Sequence, residues 1–82
     1  MVDVFTVDNL QEKQTGCIVE VRSVAADDPY AKMAKSMGLE PGLRLTRTGY
    51  DEAQEVYIFS SPEAEFGLPI EVCQRVYVRQ CD

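Results

Sequence analysis

The sequence predicts a mainly β fold: a small antiparallel barrel of about five strands with one short inserted helix. Three observations predict it. Several short runs alternate between apolar and polar residues, as half-buried strands do. One helical stripe, Tyr30, Met33, Ala34 and Met37, interrupts them at the spacing i, i+3, i+4, i+7. A corner, Met37-Gly38-Leu39-Glu40-Pro41-Gly42, stops that helix and starts the next strand.

The corner is the most informative stretch. Gly38 takes the left-handed backbone that ends a helix, a conformation that costs residues with a Cβ. Leu39 then sits where a Schellman cap wants an apolar residue folded back onto the last turn, against Met33 or Ala34. Pro41-Gly42 predicts a type II turn, with glycine at the position that needs φ > 0. Gly38, Pro41 and Gly42 are therefore structural.

The other elements follow in order. Val2, Val4 and Thr6 share one face of a short run that reads either as an edge strand or as a partly ordered arm. Asp8 or Asn9 caps a single helical turn over Leu10 to Lys13, or the segment is a plain loop anchored by Leu10. Gly16 opens the first clear strand, which ends near Val24, with Cys17, Val19 and Val21 on one face. Asp28-Pro29 is a helix start, aspartate as cap and proline at the first helical position. Lys32 and Lys35 sit toward the negative end of that helix, where cations are favoured. Leu43 and Leu45 alternate with Arg44 and Thr46 in the second strand. Thr48 to Glu52 reads as a turn. Glu55 to Ser60 is the third strand, Val56 and Ile58 opposite Tyr57 and Phe59. Phe66 to Pro69 is a short fourth, Ile70 to Gln74 one helical turn, and Arg75 to Arg79 the last strand. No repeat, linker or low-complexity tract divides residues 1–82, so one domain is expected.

Size and charge narrow the function classes. The chain has 82 residues, 45% of them hydrophobic, which is near the lower end of what a core holds without staples. Its net charge of -6 repels phosphate backbones and argues against nucleic-acid binding. It has no histidine, which removes the commonest general base and transition-metal ligand. No nucleophile–base pair can be named, so an enzyme is not expected. No apolar run reaches the roughly 18 residues of a membrane helix, and no signal-peptide pattern opens the chain, so a cytoplasmic protein is expected.

Three cysteines, Cys17, Cys73 and Cys81, lack the spacing of a disulfide framework. Free buried thiols in a reducing cytosol are the expected state for Cys17 and Cys73. Cys81, in the tail, is expected to be exposed and able to cross-link dimers on oxidation. As soft ligands the three are also candidates, together with a carboxylate, for an Fe²⁺ or Zn²⁺ site.

The order of Leu10, Gly16, Ile18 and Val21, then Tyr30 and Met33, then Met37-Gly38-Leu39, Pro41-Gly42 and Leu45, resembles the FeoA family of ferrous iron transport protein A domains. Cys73, Val76 and Val78 are similar to that family's closing element. The likeness runs from about Leu10 to Arg79. It implies an SH3-like barrel acting in bacterial ferrous iron uptake: a non-catalytic cytosolic accessory that binds and modulates the FeoB transporter at its cytosolic GTPase domain. It also implies that the chain meets the membrane only through that partner. The alternatives from other classes are a metal-responsive domain with Fe²⁺ or another transition metal as direct ligand, and a peptide-binding adaptor. SH3-like barrels bind peptides in shallow aromatic grooves. The expected partner surface is therefore Tyr30, Met33, Met37, Leu39, Tyr57 and Phe59. A weak homo-oligomer through the edge strand at Val2 to Thr6 is a further expectation.

Overall fold

In a computed structural model, which describes residues 3–81, six antiparallel strands form one sheet in the order β1-β6-β2-β3-β4-β5. The strands are β1 (Val4–Thr6), β2 (Thr15–Val21), β3 (Arg44–Asp51), β4 (Val56–Ser60), β5 (Glu65–Pro69) and β6 (Val76–Gln80). Helix α1 (Pro29–Ser36) joins β2 to β3, and α2 (Ile70–Cys73) is one turn between β5 and β6. A single core takes Ile18, Leu45, Phe59, Leu68, Val76 and Val78 from five strands, with Ala34, Leu39 and Val72 from the helices and corner.

The strand count exceeds the expected five because the N-terminal run is a true edge strand. Val4, Phe5 and Thr6 pair with Arg79, Val78 and Tyr77 of β6. Val2, expected to share the β1 face, lies outside the described residues. The helical turn falls earlier than expected, as a 3₁₀ turn at Val7–Asn9, and buries Val7. Residues 10–14 are instead tied to β3. Lys13 N–H donates to the Arg47 carbonyl at 2.7 Å, Arg47 N–H to that of Gln14 at 3.0 Å, and the Arg47 guanidinium to that of Leu10 at 2.8 Å.

Strand β2 corrects the expected alternation. Gly16 and Ile18 face the core, while Cys17 and Val19 are only half-buried. A bulge between Ile18 and Glu20 then resets the phase, so that Val21 lies opposite buried Val76. Gly16 permits a close approach: a Cβ there would lie 3.1 Å from Val78 and 3.2 Å from Leu10. The expected turn at Thr48 to Glu52 is also revised. Strand β3 continues to Asp51 through a second bulge between Arg47 and Gly49. The hairpin turns only after Asp51, whose carboxylate accepts from the N–H groups of Ala53 and Gln54.

Candidate functional site

Helix α1 begins at Asp28. Its carboxylate accepts from Tyr30 N–H at 3.0 Å, the cap expected before Pro29. It also accepts from Val24 N–H at 2.8 Å and from Arg75 Nε at 2.9 Å. These bonds, that of Val24 foremost, hold the carboxyl at about 2 instead of its ordinary 3.8. Arg75 also donates to the Glu71 carbonyl at 3.0 Å, and its guanidinium lies 5.1 Å from the Tyr30 ring centre. One arginine therefore joins the start of α1 to α2. No local sequence signal reveals this clamp, because its partners are 47 residues apart.

The helix ends as its sequence requires. Gly38 has φ +86°, Gly38 N–H donates to the Lys35 carbonyl at 3.1 Å, and Leu39 N–H reaches back to Ala34 at 3.1 Å. That is the Schellman pair. Gly42 has φ +96°, and Leu43 N–H closes the turn onto the Glu40 carbonyl at 3.1 Å. The corner is then sewn to β2: Gly42 N–H donates to the Ile18 carbonyl at 2.9 Å, and Ile18 N–H to that of Leu43 at 2.8 Å.

Beside this corner lies an open depression of about 410 Å³ lined by Glu20, Val21, Lys35, Leu39, Glu40 and Pro41. Its floor is apolar and its rim carries charges of both signs. A second depression, of about 440 Å³, shares Glu40 and Pro41 and continues to Leu43, Pro62 and Glu63. The corner thus stands as a ridge between two shallow grooves. Sequence reasoning missed Glu20, Val21, Lys35 and Glu40 as lining residues, since a groove made where a strand meets a helix end has no local pattern.

The six expected partner residues divide. Met33 is 42% exposed, and Tyr30 on the same helix and Met37 at its C-cap are half-buried. Tyr57 lies on the β3–β4 hairpin, its ring centre 4.9 Å from that of Tyr50 and 4.7 Å from the Arg47 guanidinium. Tyr50 itself is 46% exposed. Partial burial, then the charge of Glu55, raises its hydroxyl pKa. Leu39 and Phe59 are core residues at 1% and 0% exposure, so neither side chain offers a surface to a partner. Both are large and apolar, and a core this small needs them.

The cysteines also divide, against expectation. Cys17 and Cys81 form a disulfide across β2 and the end of β6, with Cα atoms 6.1 Å apart. Cys81 is thus paired within the chain. Its N–H donates to the Thr15 carbonyl at 3.0 Å, so the ladder continues one residue past β6 and sets the cysteine beside its partner. Cys73 is free and fully buried, donating to the Leu68 carbonyl at 3.6 Å. Burial first, then the charge of Asp8, pushes its thiol up to about 12. The three sulfurs do not gather into one ligand set. Among the described residues no three of His, Cys, Asp and Glu come together to hold a metal ion. The same residues contain no helix long and apolar enough to cross a membrane. The α1–corner region offers an apolar floor and a charged rim.

Comparison with known proteins agrees on the fold. The family model of the FeoA domain matches residues 5–80. The crystal structure of Stenotrophomonas maltophilia FeoA complexed with zinc, described as an SH3 domain protein possibly acting as a ferrous iron transport activating factor, is 20% identical. It aligns over 90% of this chain and 88% of its own with a TM-score of 0.77. An iron uptake regulatory protein (FeoA) structure is 21% identical over 98% of this chain and all of its own, with a TM-score of 0.74. A manganese-dependent transcriptional repressor in complex with manganese is 16% identical with a TM-score of 0.81, and the likeness covers 99% of this chain but only 38% of that one. No curated protein matches the sequence.

Proposed function

The chain belongs to the FeoA family, and on that premise we propose that it is a non-catalytic accessory of ferrous iron uptake. It works in the cytoplasm, where it binds the FeoB transporter at its cytosolic GTPase domain and modulates it. The observation that carries this reading is the family match over residues 5–80, nearly the whole chain. The docking face is α1 with the corner: Tyr30 and Met33 on the helix, Met37 at its C-cap, and the groove between Val21, Lys35 and Glu40. Buried Leu39 shapes that groove from below. An exposed methionine on α1 gives a partner surface that adapts to what it meets.

A pull-down of the purified chain with the cytosolic GTPase domain of FeoB, with and without nucleotide, tests the reading. Binding is expected in at least one nucleotide state, and Met33→Glu abolishes it with circular dichroism unchanged. Absence of binding in every nucleotide state, and to the full-length transporter in detergent, overturns it. The rival reading, a domain with Fe²⁺ or Zn²⁺ as direct ligand, predicts metal uptake in native mass spectrometry. The separated cysteines offer no ready ligand set for it.

A further inference from the structure

We propose that Cys17 and Cys81 form a reversible redox site, a dithiol–disulfide pair that fastens the end of β6 to β2 when oxidised. Four features of the seam carry this. The backbone places the pair: with Cα atoms 6.1 Å apart and Cys81 held by its N–H bond to Thr15, the bridge needs no movement of the main chain. Access comes next. Both residues are partly exposed, whereas Cys73 is fully buried.

The third feature is charge. Cys17 lies in register with Arg44 on β3 and with Arg79 on β6. Residues directly opposite in an antiparallel ladder project from the same face, so two arginines flank the sulfur position on the outer side of the sheet. Positive neighbours stabilise a thiolate, the form that attacks a disulfide. The fourth feature is position. Cys81 follows the last residue of β6, and β6 is already paired with β2 from Gly16↔Gln80 to Val21↔Val76 by backbone hydrogen bonds that do not involve the sulfurs. Reduction therefore releases only the chain end, which suits a bond that opens and closes. In the reducing cytosol, the location already proposed, disulfides are usually of this responsive kind.

The exchange needs a low-molecular-weight disulfide as oxidant. The Cys17 thiolate attacks one of its sulfurs, forms a mixed disulfide and expels one thiolate. The Cys81 thiolate then attacks Cys17 Sγ, breaking the mixed disulfide and expelling the second. Two protein thiols become one disulfide, and the small disulfide becomes two thiols.

The test uses the full reduced chain in oxidised and reduced glutathione at graded ratios, quenched with an alkylating agent and read by intact mass. At oxidising ratios, Cys17 and Cys81 are expected to be protected in a monomer that carries no glutathione, and excess reduced glutathione is expected to reverse this. Cys81→Ser is expected to stop at a glutathione adduct on Cys17. The variant Arg79→Gln, with unchanged circular dichroism, is expected to close several-fold more slowly. The proposal is overturned if both residues stay alkylatable at the most oxidising ratio, or if Cys81 is recovered in cross-linked dimers. It is equally overturned if the native chain keeps its disulfide in excess reduced glutathione that opens it once denatured, for the bond is then a permanent staple. An unchanged closing rate in Arg79→Gln would remove the electrostatic part.

Discussion

The Met37–Gly42 corner and the β2–β6 seam are both joints, built by opposite means. The corner is made from six consecutive residues, and each of its hydrogen bonds within the turn spans five positions or fewer. The seam is made from residues 64 apart in sequence that meet because β6 pairs directly with β2. A local joint is written in residue types that tolerate few backbone conformations. A distant one is written in topology, and nothing in either cysteine's neighbourhood announces its partner. The corner carries one wall of the proposed docking groove, while the seam carries the proposed redox site.

Substitution at each joint sharpens the contrast. The largest effect is expected at the corner's buried anchor. Leu39→Ala leaves a cavity under the groove and is expected to cost about 2–5 kcal/mol in urea unfolding. A loss near zero would mean that the corner holds by its backbone alone. Removing the Cys17–Cys81 bridge by Cys17→Ser comes next. It frees a loop of sequence separation 64 in the unfolded chain and is expected to cost about 2–4 kcal/mol against the oxidised protein. The reduced protein should already match the variant, and a difference between the two would show that the serine disturbs β2 itself. Gly42→Ala is smaller: at φ +96° an added Cβ is strained, with nothing within 4 Å to clash against, so about 1–2 kcal/mol is expected.

The smallest effect separates the helix start from both joints by pH. Asp28 has its pKa lowered from 3.8 to about 2, so its stabilisation is full above 3.8 and is lost as pH falls through about 2. Asp28→Asn should therefore flatten the melting temperature against pH across that window, with little change in slope above it. An unaltered acid limb would mean that other carboxylates govern it.

How much the sequence discloses follows the same division. Asp28-Pro29, Gly38 and Pro41-Gly42 stand in the structure where their chemistry places them, as do the last four strands to within a residue or two for most ends. The inward face of β2 was not legible, because the bulge after Ile18 breaks the two-residue period on which strand reading depends. The extension of β3 through Gly49 was hidden in the same way, by a polar stretch that a second bulge keeps in the ladder. The helical spacing made Tyr30 and Met33 legible as one face of α1, but periodicity does not say which large apolar residues stay at the surface. Leu39 and Phe59 went to the core instead. The Arg75 clamp and the disulfide depend on tertiary folding and have no local signature.

The account rests on α1 and the corner being the face that meets the transporter. The most direct measurement is a titration of the ¹⁵N-labelled chain with the cytosolic GTPase domain of FeoB, in each nucleotide state, mapping which amides shift or broaden. The account predicts changes clustered at Tyr30, Met33, Lys35 and Glu40, with the seam around Cys17 and Arg79 unmoved. Unchanged spectra in every nucleotide state, or changes confined to the seam or the β3–β4 hairpin, would contradict it.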